Sequence, residues 1–360
     1  MNWSDTRLAP AARVLMLGCS VFVFVLGGCG GSGGPEGEVQ IVVPEGASAG
    51  RIARVLEDAD LIGNPRLFSL VARFKGSAAD LKSGTYLIPG DAGYFEILDI
   101  LEAGAVETVA FTAPEGFTAD QIAPLVAEVS GVPVDSVLAL TTDSAFATEL
   151  GVPGPDLEGY LFPETYRVAV GLAPRSVLKI MVDKYRSFWT PERLAIADST
   201  GLSEREIVTL ASIVEREARV VDEMPTIAGV YSNRLEIGML LQADPTVQYA
   251  LGSQRARLLY ASIDSVADNP YNTYTHPGLP PGPIASPGEA ALAAALQPAD
   301  VPFLFFVARA DGSHEFTRTN REHINAKNRI RGEASRAAAA SRAAEDAAGG
   351  AEGGDGDAGD

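Results

Sequence analysis

A strand–turn–helix pattern occurs twice in this chain, and neither copy can bury its apolar face alone. Pro44-Glu45-Gly46 with Ala49, Ile52 and Ala53 recurs as Pro114-Glu115-Gly116 with Ala119, Ile122 and Ala123, an offset of 70 residues. Each copy follows a β-rich run, 39–43 and 108–112, and opens a helical pattern. In the second copy Thr118 and Gln121 form a T-x-x-Q capping box, which satisfies two backbone donors at a helix start. Such turns are common among strand–helix units, and two copies do not make a solenoid. With 360 residues, about twice a usual domain, the chain is read as two domains plus tails.

Between the copies, 65–74 and 94–101 read as helices and 84–88 as a strand, which predicts a compact α+β domain over 39–108. Beyond it, 174–188, 203–221, 225–235 and 288–296 read as helices. An apolar strand at 303–308 finds a candidate partner at 314–319. Alternation without a regular βαβ rhythm argues α+β and against a doubly wound sheet. From residue 332 onward Ala, Gly and acids dominate with no aromatic, which predicts a tail over 331–360 without regular structure. The expected division is therefore 1–38, 39–108, 109–330 and 331–360.

Lys and Arg number 28 against 47 Asp and Glu, leaving −19. Six of the acids lie beyond residue 342 with no base, so the rest still carries −13. Bulk electrostatics therefore exclude nucleic acid as a partner. Both cysteines, Cys19 and Cys29, precede the body, which excludes a disulfide framework, a thiolate metal site and a catalytic cysteine there. Three histidines, His276, His314 and His323, leave little for a metal, and no metal or cofactor is expected.

Arg7 and Arg13 precede an uncharged run, 14–34, whose apolar part ends at Cys29. A basic flank, a short apolar stretch and then small residues form an export signal, and the stretch is short for a spanning helix of about 20 residues. Leu26-Gly27-Gly28-Cys29 also resembles the lipobox of bacterial lipoproteins. Lipid anchor at Cys29 and uncleaved signal anchor stay open. Both place the body outside the cytoplasm at a membrane, on a Gly/Pro/Ser-rich tether over 30–37.

The helix beginning after Ser203 has the clearest start, an S-x-x-E capping box with Glu206. At 100° per residue Ile207, Leu210, Ala211, Val214 and Ala218 share one stripe, with Glu215 and Glu217 about 80° to either side. Arg216 then points to solvent. A carboxyl on the rim of an apolar face is partly desolvated, which favours its protonated form, as a general acid requires. Helix phase does not choose between the two glutamates. Two further segments suit a binding surface. Residues 156–166 hold three aromatics and, if extended, set Tyr160, Phe162, Glu164 and Tyr166 on one side. The loop at 270–283 is too proline-rich for a helix or a central strand. Rings beside Asn and Thr suit a sugar; tyrosines packed inward are the plainer alternative.

Four blocks then resemble the MltG/YceG family of bacterial endolytic murein transglycosylases over roughly 39–329. They are Leu157-Glu158-Gly159-Tyr160-Leu161-Phe162-Pro163-Glu164-Thr165-Tyr166; Ala211-Ser212-Ile213-Val214-Glu215-Arg216-Glu217; the run 227–249 containing Tyr231-Ser232-Asn233-Arg234 and Gln242-Ala243-Asp244-Pro245-Thr246; and Tyr271-Asn272-Thr273-Tyr274 with Gly278-Leu279-Pro280-Pro281-Gly282-Pro283. The resemblance implies a small LysM-like module followed by a larger α+β catalytic domain, with Glu217 as the catalytic acid. It implies that Glu158, Asn233, Gln242, Asp244, Asn272 and Tyr274 line a glycan groove. It further implies peptidoglycan glycan strands as substrate, peptidoglycan synthases as partners, and the bacterial inner membrane as location. A spanning helix is the family norm, from which the short apolar run departs.

Overall fold

The computed structural model describes residues 37–104, 107–253 and 258–351. The export-type segment and both cysteines lie outside the described residues. The first unit comprises β1 (Glu38–Val43), α1 (Ala49–Asp58), α2 (Pro65–Lys75), β2 (Gly84–Pro89) and α3 (Tyr94–Ala103). β1 and β2 pair antiparallel, from Glu38 opposite Pro89 to Val43 opposite Gly84. Alternation along β1 sends Ile41 and Val43 inward, onto a core with Ile52, Leu56, Phe68, Tyr86, Ile97 and Leu101. Asn64 starts α2 by accepting from the backbone N–H groups of Arg66 and Leu67, and left-handed Gly76 ends it.

The second unit opens with β3 (Thr108–Ala113), α4 (Ala119–Ser130), α5 (Val134–Thr141), α6 (Ser144–Glu149) and β4 (Glu164–Ala169). β4 returns to pair antiparallel with β3, Phe111 opposite Tyr166. Helices α7 (Pro174–Phe188), α8 (Pro191–Thr200), α9 (Glu204–Glu217), α10 (Met224–Glu236), α11 (Asp244–Ala250), α12 (Tyr260–Asp264) and α13 (Glu289–Leu296) follow. Next come the hairpin β5 (Phe305–Ala308) and β6 (His314–Thr317), then α14 (Asn320–Ala351). The described strands form three separate two-stranded sheets among many helices, an α+β chain. This unit has its own core, distinct from the first. The units are stitched at their edges, where Glu107 donates its N–H to the Thr85 carbonyl at 2.7 Å and Ser176 donates to Glu45 at 2.9 Å.

α9 lies at the centre of the second core, against α10 and α13. Its capping box forms as the sequence predicts, and the helix ends at Glu217, short of residue 221. Every residue from Ile207 to Val214 is buried, so the helix is enclosed on all sides where the spacing predicted one apolar stripe. Arg216 does not point to solvent. It is half-buried and donates from Nη1 to the Gly116 carbonyl at 3.0 Å.

Two further expectations change. Residues 156–166 are not one extended face: Tyr160, Phe162 and Tyr166 belong to the core, while Glu164 is exposed at the start of β4. α14 runs to Ala351, through much of the segment predicted to lack regular structure. The composition of 332–351 rules out a packed core, but Ala, Arg and Glu are strong helix formers and extend a helix already docked on β5 and β6. Ala326 is its last fully buried residue among those described. No helix among the described residues is long and apolar enough to cross a membrane.

Truncation after Ile330 is expected to shift the melting temperature by no more than about 2 °C, since it removes no buried side chain among those described. Differential scanning fluorimetry of the two lengths checks this; a larger fall would show that the distal helix packs on the body.

Candidate active site

Two cavities meet at the C-terminal end of α9. The larger, about 560 Å³, is lined by Glu217, Tyr231, Arg234, Gln242, Asp244, Tyr260, Tyr274, Phe305 and the first turns of α14. The second, about 410 Å³, shares Glu217 and Asp244 with it and continues past Arg216, Gln248, Arg219 and Arg309. A third, also about 410 Å³, shares Arg216, Pro245 and Gln248 with the second and reaches Thr118 and Gln121. The cavities therefore run in series as one groove, with Glu217 and Asp244 at the first junction.

Glu217 is the last residue of α9, half-buried and lining both of the first two cavities. Burial pushes its carboxyl up to about 7, and the negative charge of Asp244 pushes the same way. Its place at the negative end of the helix dipole acts in that direction too. Tyr231 opposes them by donating its hydroxyl to Oε1 at 3.1 Å, as does the positive charge of Arg234. Near neutrality the acid therefore keeps a substantial protonated fraction, with one oxygen held by Tyr231. The groove supplies the room for a proton acceptor.

Glu215 is the contrasting case. Burial raises its pKa as well, but its Oε2 accepts the Gly288 N–H at the start of α13, at 3.0 Å. A carboxylate there caps a helix N-terminus. Position, which helix phase alone could not supply, separates the two glutamates.

The structure gathers four of the seven residues singled out by the sequence: Glu217, Gln242, Asp244 and Tyr274. Tyr274 donates its hydroxyl to Asp244 Oδ1 at 2.5 Å. Gln242 sits in the left-handed region at φ 49, a strained conformation for a side-chain-bearing residue. It is held there because its N–H donates to the Thr273 carbonyl at 3.1 Å and Arg234 grips the preceding Leu241 carbonyl at 2.6 Å.

Glu158, Asn233 and Asn272 instead hold backbone. Both Glu158 oxygens accept the Ala119 N–H at the start of α4, and burial raises this carboxyl to about 8. Asn233 donates to the carbonyls of Val301 and Phe303, fixing the approach to β5. Asn272 is fully buried and donates to the Ile263 and Val266 carbonyls, shaping the loop that carries Tyr274. In that loop Tyr274 reaches the groove while Tyr271 packs on Tyr249.

Sequence reasoning did not select Tyr231, Arg234, Tyr260, Phe305 or Lys327. Tyr231 and Arg234 had a legible signal, being three apart on one turn of a helix within a singled-out block. The others arrive from distant segments and carry none.

The sequence profile of the YceG-like family matches residues 41–329. A protein of Bacillus subtilis (strain 168) named endolytic murein transglycosylase is 33% identical over 305 residues, covering 80% of this chain and 84% of that one. A protein of the same name from Streptococcus pneumoniae serotype 2 is 30% identical over 326 residues, 80% of this chain but 59% of that longer one. The crystal structure of a yceG-like protein from Listeria monocytogenes superposes with a TM-score of 0.55 at 30% identity, covering 81% of this chain and 99% of that one.

The raised acid at Glu217 makes stability depend on pH. The unfolded carboxyl, with its ordinary value of 4.5, releases its proton first, so the folded state loses stability as pH rises from about 4.5 to about 7. Glu217→Gln removes this loss. The variant is expected to melt higher than the parent at pH 8 and no higher at pH 4. Equal offsets at both pH values in thermal melts would show that the acid is not held protonated.

Proposed function

This chain belongs to the YceG-like family, and on that premise we propose that it is an endolytic peptidoglycan lytic transglycosylase. It cuts the β-1,4 bond between N-acetylmuramic acid and N-acetylglucosamine within nascent glycan strands, leaves 1,6-anhydro-N-acetylmuramic acid ends and so terminates strand elongation. The observation that carries the reading is Glu217, raised to about 7 at the junction of two cavities. An acid in mid-groove reaches bonds inside a strand without needing a free end.

Glu217 donates its proton to the departing glycosidic oxygen as positive charge develops at the anomeric carbon. The substrate's own N-acetyl carbonyl stabilises that centre. Glu217, now a carboxylate, takes the proton of the muramic acid 6-hydroxyl, whose oxygen closes onto the same carbon. Atoms balance with no water consumed, and the attacking group is already tethered, which is worth effective molarities of about 10⁵ to 10⁸ M. Tyr231 holds the carboxyl in place throughout, and Gln242 and Tyr274 are proposed to contact the glycan.

A second reading has one specific support. Asp244 shares the junction with Glu217, and hydrolysis by paired carboxyls needs such a partner to activate water or attack the sugar. A muramidase would use Glu217 as acid and Asp244 as the second group.

The order β1–α1–α2–β2 with antiparallel pairing supports a LysM-like module over 39–108 ahead of a catalytic domain over 109–330. The apolar run before Cys29 supports attachment to the outer face of the bacterial inner membrane, through either a lipid or a signal anchor. Peptidoglycan synthases, which make the substrate at that surface, are the proposed partners.

Glu217→Gln is expected to lower cleavage by about 10² to 10⁴, and Glu215→Gln by far less, since the latter weakens a helix cap and not the proton donor. Equal losses in a muropeptide release assay would overturn the assignment. Mass spectrometry of the products decides between the two readings. Anhydro ends, lighter by one water, support the transglycosylase, whereas reducing ends that take up ¹⁸O from solvent identify a muramidase.

A further inference from the structure

The two cavities that meet at Glu217 differ in chemistry. The larger presents aromatic rings, Tyr231, Tyr260, Tyr274, Phe305 and Phe306, on which sugar faces can stack. The second has no Phe, Tyr or Trp in its lining and, beside the shared Glu217 and Asp244, carries three guanidinium groups, Arg216, Arg219 and Arg309. In a chain of net charge −19 this concentration of positive charge runs against the average.

The three arginines are not equally free. Arg216 is tied to the Gly116 carbonyl and lies beside Glu215. Arg309 reaches Glu315 at 3.2 Å, but Arg329 binds the same carboxylate, so two guanidinium groups share one negative charge. Arg219 is exposed, and no hydrogen bond or ion pair occupies it among the described residues. The turn between β5 and β6 lies against its stem: a Cβ added to Gly312, at φ +89, would come 3.4 Å from the Arg219 Cβ and Cδ. Arg219 and Arg309 thus line one cavity, the first without a partner among the described residues and the second sharing its carboxylate.

Building on the transglycosylase reading, we propose that this second cavity binds the acidic peptide carried on the lactyl group of muramic acid, with Arg219 and Arg309 as the specificity-determining residues. The acid at Glu217 protonates the oxygen on the anomeric carbon of muramic acid, so that sugar lies beside Glu217 and its peptide leaves the ring within reach of the adjoining cavity. Guanidinium groups pair with carboxylates through charge-assisted, often bidentate hydrogen bonds. The enzyme then prefers peptide-bearing strands over bare ones.

The test uses the full-length protein in detergent and three forms of one glycan strand: with its peptide carboxylates free, with them converted to amides, and with the peptides removed by an amidase. The wild type is expected to show kcat/KM at least about tenfold higher on the first than on the other two. The double variant Arg219→Ala, Arg309→Ala brings these ratios towards one, while Arg219→Lys with Arg309→Lys keeps part of the preference. Ratios cancel any effect of the substitutions on Glu217 itself. Equal rates on all three strands by the wild type overturn the proposal, as do ratios unmoved in the alanine variant. Failure of the wild type to cleave any of the three refutes the transglycosylase reading, and the proposal falls with it. Because the wild-type comparison needs no variant, it stands even if the alanine protein fails to fold.

Discussion

A helix buried on every side must satisfy at its end whatever it cannot satisfy along its length, and α9 concentrates that requirement in one turn. Eight consecutive residues, from Ile207 to Val214, are buried, and then three charges follow in a row. Each is answered by a different part of the chain. Glu215 accepts from the backbone at the start of α13, Arg216 donates to the turn after β3, and Glu217 accepts from Tyr231 on α10. The last turn of α9 is therefore where α10, α13 and the β3–α4 turn are brought into register. The site stands at the same place because there the helix, buried from Ile207 to Val214, emerges into the groove.

The electrostatics of the junction follow from the same enclosure. Desolvation alone favours a neutral Glu217, and Asp244 strengthens that preference, whereas Tyr231 and Arg234 restrain it. A carboxyl balanced near neutrality can both give and recover a proton. Arg234 does this from a distance. Its guanidinium lines the groove with Nε and Nη1 already committed to the carbonyls of Leu304 and Leu241, so it contributes field and backbone support.

Local signals were legible in the sequence, and relations between distant segments were not. The capping boxes at Thr118 and Ser203 depend on residues three apart, and both form as the pattern predicts. α7 occupies the predicted 174–188 because a proline at its first position and a run of good spacing suffice to define it. The short helices α6, α11 and α12 offered too few turns for periodicity to speak, while α5 buries only Val137 and Thr141 and α8 only Ala197, too little to mark an apolar stripe. Resemblance of motifs pointed to Asn233 and Asn272, but a motif does not say whether an amide faces ligand or backbone; here both face backbone. The groove itself draws Phe305 and Lys327 to within one cavity of Tyr231, across roughly a quarter of the chain, and no window of sequence contains that.

The length of α9 now acquires a meaning separate from its composition. Ser203 fixes one end and Glu217 occupies the other, with 14 helical residues forming the gauge between them. One residue inserted between these ends would turn Glu217 by about 100° and advance it by about 1.5 Å. The glutamate would leave the groove while every side chain of the motif remained present. Substitution within α9 tests packing, but insertion or deletion tests aim, and a chain that retained every letter of the motif would misplace its carboxyl through miscounting alone.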